Sequence, residues 1–264
     1  MLAAKGGCGA TTVATNLAVS LASFNEMHPV ALVDFNLYSG DVPAFLDISP
    51  RHTIVDISKN IERLDSDFLM GVLTRHVSGV YVLPSPGGSM DMINPILPGD
   101  ISKTLNIMRD VFDFTIVDAH CSFDPVDMTV FDLSDIILLI STLDVLSMRN
   151  AKRLMYTFFG LSYSEDKIKL VVNRYTKDSE IPLKEVEKRL KCKAFWLIPN
   201  DYPTVISSID QGHPFALLYP DTAISKSFRT VASAFKHQLT NGVQKEAEAD
   251  KPGFLFRLFR RKKD

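Results

Sequence analysis

Residues Ala4-Lys5-Gly6-Gly7-Cys8-Gly9-Ala10-Thr11-Thr12 run directly into Val13-Ala14-Thr15-Asn16-Leu17-Ala18. The order is an apolar strand end, a glycine-rich loop and a helix with Leu17, Ala18 and Leu21 on one face. Such a loop winds tightly and turns its N–H groups inward, while the helix start behind it adds partial positive charge. That is the local chemistry of a phosphate cradle. The usual pattern, G-x-x-x-x-G-K-[ST], adds a lysine for the phosphates and a hydroxyl for Mg²⁺. Gly9 and Thr11 fit it; Ala4 replaces the first glycine, Ala10 stands at the lysine position, and Lys5 precedes the glycines. A glycine-rich turn before a helix also occurs without any ligand, so companion motifs must decide.

The chain has 264 residues, 46% of them apolar and 23% charged, which is enough to bury one large α/β core or two small ones. Cys8, Cys121 and Cys192 are far apart with no C-x-x-C pair. This argues for a reducing compartment and against a disulfide framework, a zinc site or a cysteine-held iron–sulfur cluster. No apolar run reaches the ~18 residues of a membrane span, and no signal peptide precedes the loop, so we expect a cytoplasmic protein. The net charge of -2 is uneven: residues 251–264 carry six basic side chains against Asp264, leaving -7 on the remainder. A body this acidic disfavours general DNA binding, which depends on neutralising phosphates.

Further along, Val30-Ala31-Leu32-Val33, Val80-Tyr81-Val82-Leu83, Phe114-Thr115-Ile116-Val117 and the runs 136–140, 168–172 and 194–198 read as strands. Continuous apolar runs of this kind suit buried parallel strands. Helices are expected over 53–61, 66–76, 100–112, 147–161, 182–190, 203–210 and 222–238. The alternation predicts an α/β fold: a mainly parallel sheet of seven or eight strands with helices on both faces. Ligands then bind outside the carboxyl ends of the strands, where Asp34, Asp118, Asn173 and the glycine loop all fall. The first strand is expected to be cut short, with Met1-Leu2-Ala3-Ala4 alone before Lys5. Residues 1–240 are expected to form one domain, a nucleotide-binding one if the loop holds phosphate, followed by a polar linker over 241–252 and a basic amphipathic tail over 253–264. In that tail Phe254, Leu255, Leu258 and Phe259 share one side of a short helix, with Arg257, Arg260 and Arg261 flanking the other, a pattern suited to an anionic membrane surface.

Taken together, these residues resemble the ParA/MinD-type P-loop ATPases with a deviant Walker A motif, and within them the CpaE/TadZ-like pilus-assembly branch. The resemblance spans about residues 2–236. It rests on the stretch from Lys5 to Ala18, Leu32-Val33-Asp34 with Gly40-Asp41-Val42, and Leu73-Thr74-Arg75-His76 with Ser78-Gly79. Ser147-Met148-Arg149-Asn150-Ala151-Lys152-Arg153-Leu154, Val172-Asn173-Arg174-Tyr175 and Pro199-Asn200-Asp201-Tyr202 complete it.

The resemblance implies a P-loop NTPase fold of the MinD-like kind, ATP or ADP with Mg²⁺ as cofactors, and a homodimer. Lys5 looks like the signature lysine that reaches the partner's phosphates. Gly6, Gly7, Cys8, Gly9 and Ala10 would form the cradle, with Thr12 on the α-phosphate. Thr11, Asp34 and Asp118 would hold Mg²⁺, partly through water. Asn173 matches the position that reads the adenine edge, Arg174 follows it, and Pro199, Asn200 and Asp201 would close over the base. Asn36 falls where the family has the aspartate that orients attacking water. An amide can bind that water without accepting its proton. Together with Ala10, this implies weak or absent hydrolysis. The implied role is a spatial regulator that brings pilus or secretion machinery to the inner membrane, with the cell pole as one such place. The alternative is an active DNA-partitioning ATPase; the acidic body, Ala10 and Asn36 count against it.

Overall fold

The computed structural model describes residues 1–24, 29–37, 39–87 and 96–245, with side chains described as far as Gln238. Its strands are β1 (Leu2–Ala3), β2 (Val30–Phe35), β3 (Thr74–Arg75), β4 (Tyr81–Leu83), β5 (Phe114–Ala119), β6 (Ile137–Thr142), β7 (Ile168–Tyr175) and β8 (Ala194–Pro199). They form one sheet in the order β3-β4-β2-β5-β1-β6-β7-β8. Among the described residues every pairing is parallel except that of β3 with β4. The expected α/β architecture is therefore present, with an eight-stranded sheet.

Helices α1 (Ala10–Ala22), α2 (Val42–Phe45), α3 (Ile54–Lys59), α4 (Ser66–Val72), α5 (Pro98–Val111) and α6 (Pro125–Leu133) alternate with the strands. Helices α7 (Val145–Gly160), α8 (Leu183–Leu190), α9 (Tyr202–Asp210), α10 (Phe215–Leu218) and α11 (Ala223–Lys245) follow. Successive strand residues face opposite layers, as the pleat requires. In β2, Val30 and Leu32 join α1, α10 and α11 in one core, while Ala31, Val33 and Phe35 pack against α3 to α6 on the other face. In β6, Leu138 and Ile140 meet the first layer, whereas Ile137 and Leu139 meet α6 and α7.

Helix α1 is the hub of the first layer, and it is buried on all sides rather than on the single face expected from Leu17, Ala18 and Leu21. Its small residues make this possible. Its buried hydroxyls are satisfied within the helix: Thr15 Oγ1 donates to Thr11 O at 2.9 Å and Ser20 Oγ to Asn16 O at 2.7 Å. Asn16 Oδ1 also accepts from Ala216 N at 3.1 Å, tying α1 to α10. Unsatisfied groups here would each cost about 1–3 kcal/mol.

The structure departs from the sequence expectations at five elements. The helix expected over 66–76 stops at Val72, because Thr74 and Arg75 pair with Val82 and Tyr81 as an antiparallel hairpin. Gly79, at φ 88°, turns that hairpin. Helix α6 is absent from the expectations, although Asp124 caps it with bonds from Val126 N and Asp127 N and Pro125 opens it; both are ordinary start signals. The single-turn helices α2 and α10 carry too few residues for a period to show. Finally, α11 continues to Lys245, across the first five residues of the expected linker. The rest of the linker and the tail lie outside the described residues.

Candidate nucleotide site

Two glycines give the loop its shape. Gly7 and Gly9 sit at φ 79° and 89°, in the left-handed region where side chains are strained. Ala4 N donates to Ile140 O at 2.8 Å and Val13 N to Gly9 O at 2.9 Å, so strand and helix hold the loop at both ends. Gly9 occupies the N-cap position of α1, no side chain caps the helix start, and its first turn holds no acidic residue. These N–H groups are the partial positive charge that an anion would meet. Ala10 is buried in the core beneath, so no ammonium rises from the position where the usual lysine stands.

Thr11 Oγ1 donates to Asp118 Oδ2 at 2.6 Å. Asp118 is 3% exposed, and burial raises its pKa although the Thr11 bond opposes that shift. A hydroxyl and a carboxylate oxygen this close, at a helix start, are the hard donors that Mg²⁺ prefers. A cation here would also offset the cost of a buried carboxylate. These two residues fit the metal.

Asp34 has a different environment. It pairs in register with Asp118 across β2 and β5, and its two oxygens accept from Asn36 N at 3.1 Å and Val42 N at 3.0 Å. Both carboxylate oxygens thus hold the loop that follows β2. Asn36 O accepts from Gly40 N at 3.0 Å, closing the same loop. Burial pushes the Asp34 pKa up to about 7, against the pull of the Val42 and Asn36 bonds and with help from neighbouring Asp118.

The folded protein then binds this proton more tightly than the unfolded chain, so stability falls as pH rises from about 4 to about 7 and is flat above. Asp34→Asn lacks this component. The gap in unfolding free energy between the two proteins should therefore move in the variant's favour from about pH 5 to about pH 8, by at most about 3 kcal/mol. Denaturant titrations across that range check the slope, and parallel profiles would contradict it.

Lys5 Nζ lies 3.1 Å from Asp144 Oδ1, with both side chains partly exposed. Asp144 caps α7 by accepting from Ser147 N at 2.9 Å, and Thr142 Oγ1 donates to its other oxygen at 2.5 Å. Burial would raise the Asp144 pKa, yet the bonds from Thr142, Ser147 and Lys5 outweigh it and hold the carboxyl well below the usual range. Cys8 is buried beside this group, its Sγ 3.4 Å from Ser147 Oγ. Sequence reasoning misses Asp144. Its one signal is its place as a cap before Val145, and nothing in the sequence says that it meets Lys5.

The other end of the loop meets β7. Asn173 Nδ2 donates to Cys8 O at 2.8 Å, Arg174 N donates to Asn173 Oδ1 at 2.9 Å, and Arg174 Nη2 donates to Gly7 O at 3.2 Å. Asn173 keeps one amide hydrogen for another acceptor. Beside it an open cleft runs between the loop and α9, lined by Gly9, Thr12, Asn173, Pro199, Tyr202 and Ile206 among others. Asn200 and Asp201 also line it, and Asp201 caps α9 through Thr204 N at 3.3 Å. The structure thus brings the loop, Thr11, Asp118, Lys5, Asn173, Arg174 and residues 199–201 to one end of the sheet. No sequence motif announces the apolar wall formed by Ile206, Ile209 and Phe215. The tail residues Phe254, Leu255, Arg257, Leu258, Phe259 and Arg260 lie outside the described residues.

No family model matches the chain. An uncharacterised ATP-binding protein of Methanocaldococcus jannaschii is 23% identical over 231 residues, covering 87% of this chain and 83% of that protein. The septum site-determining protein MinD of Thermotoga maritima is 22% identical over 236 residues, covering 86% and 83%. Among solved structures, a ParA family ATPase from Chlorobium tepidum superimposes with a TM-score of 0.83 at 27% identity, covering 88% of this chain and 96% of that one. MinD of Pyrococcus horikoshii, solved in complex with Mg-ADP, shares the fold with a TM-score of 0.71 at 19% identity, covering 94% and 96%. By sequence and by fold, the chain is similar to ATPases of the ParA and MinD kind.

Proposed function

We propose that this chain is a nucleotide switch: it binds Mg·ATP or Mg·ADP, dimerises in the ATP state and acts as a spatial regulator with weak or no hydrolysis. The observation that carries the reading is the meeting of an uncapped helix start, the Thr11–Asp118 pair and the cleft beside Asn173 at one sheet end. The helix start and loop N–H groups take the phosphates, Thr11 and Asp118 hold the metal, and residues 199–201 flank the base. Mg²⁺, when bound, neutralises phosphate charge. Ala10 offers no ammonium to spread charge on a transferring phosphoryl group, and Asn36 offers no carboxylate to orient water.

Lys5 is the group that would cross to a second copy, leaving Asp144 as it does so. The exposed apolar pair Val145 and Leu146 lies beside it and supports a dimer face there. Further along α7, exposed Arg149, Lys152, Arg153 and Tyr156 suit a partner with acidic and apolar groups. The CpaE/TadZ resemblance points that partner to pilus or secretion machinery at the inner membrane, with the protein held there peripherally. Among the described residues no helix is long and apolar enough to cross a membrane. The basic, aromatic tail at 253–264 would supply the contact, and pairing two tails would raise avidity.

Vesicles containing anionic lipid, sedimented with the full chain, test this reading. Binding should be stronger with Mg·ATP than with Mg·ADP and lost on deletion of 253–264. Equal binding in all nucleotide states and without the tail would refute it.

A further inference from the structure

The loop after β1 and the end of β7 touch at two successive carbonyls, and peptide geometry gives that contact a consequence. Gly7 O accepts from the Arg174 guanidinium and Cys8 O from the Asn173 amide. In a trans peptide the C=O and the following N–H point in opposite directions, and no peptide bond of the described residues is cis. Holding Gly7 O and Cys8 O toward β7 therefore turns Cys8 N–H and Gly9 N–H the other way. Cys8 N–H reaches back to Lys5 O at a long 3.3 Å, a bond that an incoming anion can replace.

The chain bends to make this contact. The β7–β8 register shifts between Val172 and Tyr175, and Arg174 takes φ 54°, in the left-handed region. Irregularities of this kind re-aim a side chain, and a strained residue persists only where its surroundings over-determine it. Here Asn173 Oδ1 holds Arg174 N, and Arg174 is aimed at the loop. Gly9 completes the fit, since a Cβ there would lie 2.6 Å from Asn173 Nδ2.

We propose that Asn173 and Arg174 are positioning residues that brace the loop from outside, setting its N–H groups toward the phosphates before any ligand arrives. Resting on the nucleotide reading above, this gives the pair a use beyond the base edge. It matters most in a loop with Ala10, where no ammonium draws the phosphates in and the amide donors carry more of the binding.

The test uses the full chain, Arg174→Ala and Arg174→Lys, with magnesium tripolyphosphate as a ligand that has no base or ribose. Calorimetry with tripolyphosphate and with ATP is paired with hydrogen exchange of the Cys8 amide, which Lys5 O holds, in the ligand-free proteins. Arg174→Ala should weaken both ligands by the same factor, about tenfold, and speed Cys8 exchange. Arg174→Lys should recover part of each. If ATP weakens and tripolyphosphate does not, Arg174 serves the base or ribose and the brace is refuted. If both ligands weaken while Cys8 exchange is unchanged, Arg174 contacts phosphate directly and the brace is again refuted. If neither ligand binds the full chain, the nucleotide reading fails, and Cys8 exchange alone decides whether the brace exists.

Discussion

Gly9→Ala is expected to weaken Mg·ATP binding by about a hundredfold. Gly9 lies at φ 89°, where a side chain costs about 1–2 kcal/mol of backbone strain. The added Cβ would also stand 2.6 Å from Asn173 Nδ2. Asn173 cannot simply swing aside, because it is buried and hydrogen-bonded through both ends of its amide. Displacing it breaks the bond to Cys8 O, worth about 0.5–1.5 kcal/mol. Together these reach about 3 kcal/mol, or two decades in affinity. Gly6→Ala is the control for folding: nothing lies within 4 Å of where its Cβ would stand, so stability should be unchanged. Equal thermal stability and ATP affinity for Gly9→Ala and the native chain would refute the loop geometry.

Lys5→Ala should abolish ATP-dependent dimerisation while leaving the monomer's stability nearly intact. The pair with Asp144 is partly exposed, and such pairs contribute about 0–1 kcal/mol. Across a symmetric dimer, two lysines would each make a charge-assisted bond to phosphate worth about 1.5–3 kcal/mol. Losing both removes roughly 3–6 kcal/mol, two to four decades in the dimer constant. Sedimentation velocity with Mg·ATP measures this, and an undiminished dimer would remove Lys5 from the account. Asp144→Asn separates the two states: it frees Lys5 from its ion pair and should leave the dimer intact.

The sheet is legible in the sequence because its central strands are continuous apolar runs, which cannot lie on a surface. Asp34, Asp118 and Asn173 are legible as a group because each stands near the carboxyl end of such a run. Helix α6 shows the limit of reading periodicity first: Asp124 and Pro125 announce it, but its nine residues give too little pattern. Strand β3 has two residues and gains its conformation from pairing with β4, so local sequence favours extending the preceding helix. The site's internal contacts are harder still. Lys5 meets Asp144 across 139 positions and Asn173 meets Cys8 across 165, and no local preference encodes either distance. The close approach of Asn173 Nδ2, which leaves no room for a Cβ at position 9, follows from the second contact, and only the fold reveals it.

Equilibrium binding of Mg·ATP and Mg·ADP to the purified full chain, with molecular mass measured in parallel, tests the central claim most directly. The account predicts saturable binding of both nucleotides, one per chain, and a doubling of mass with ATP alone. No binding at millimolar nucleotide would contradict it and leave the fold as a scaffold without its ligand.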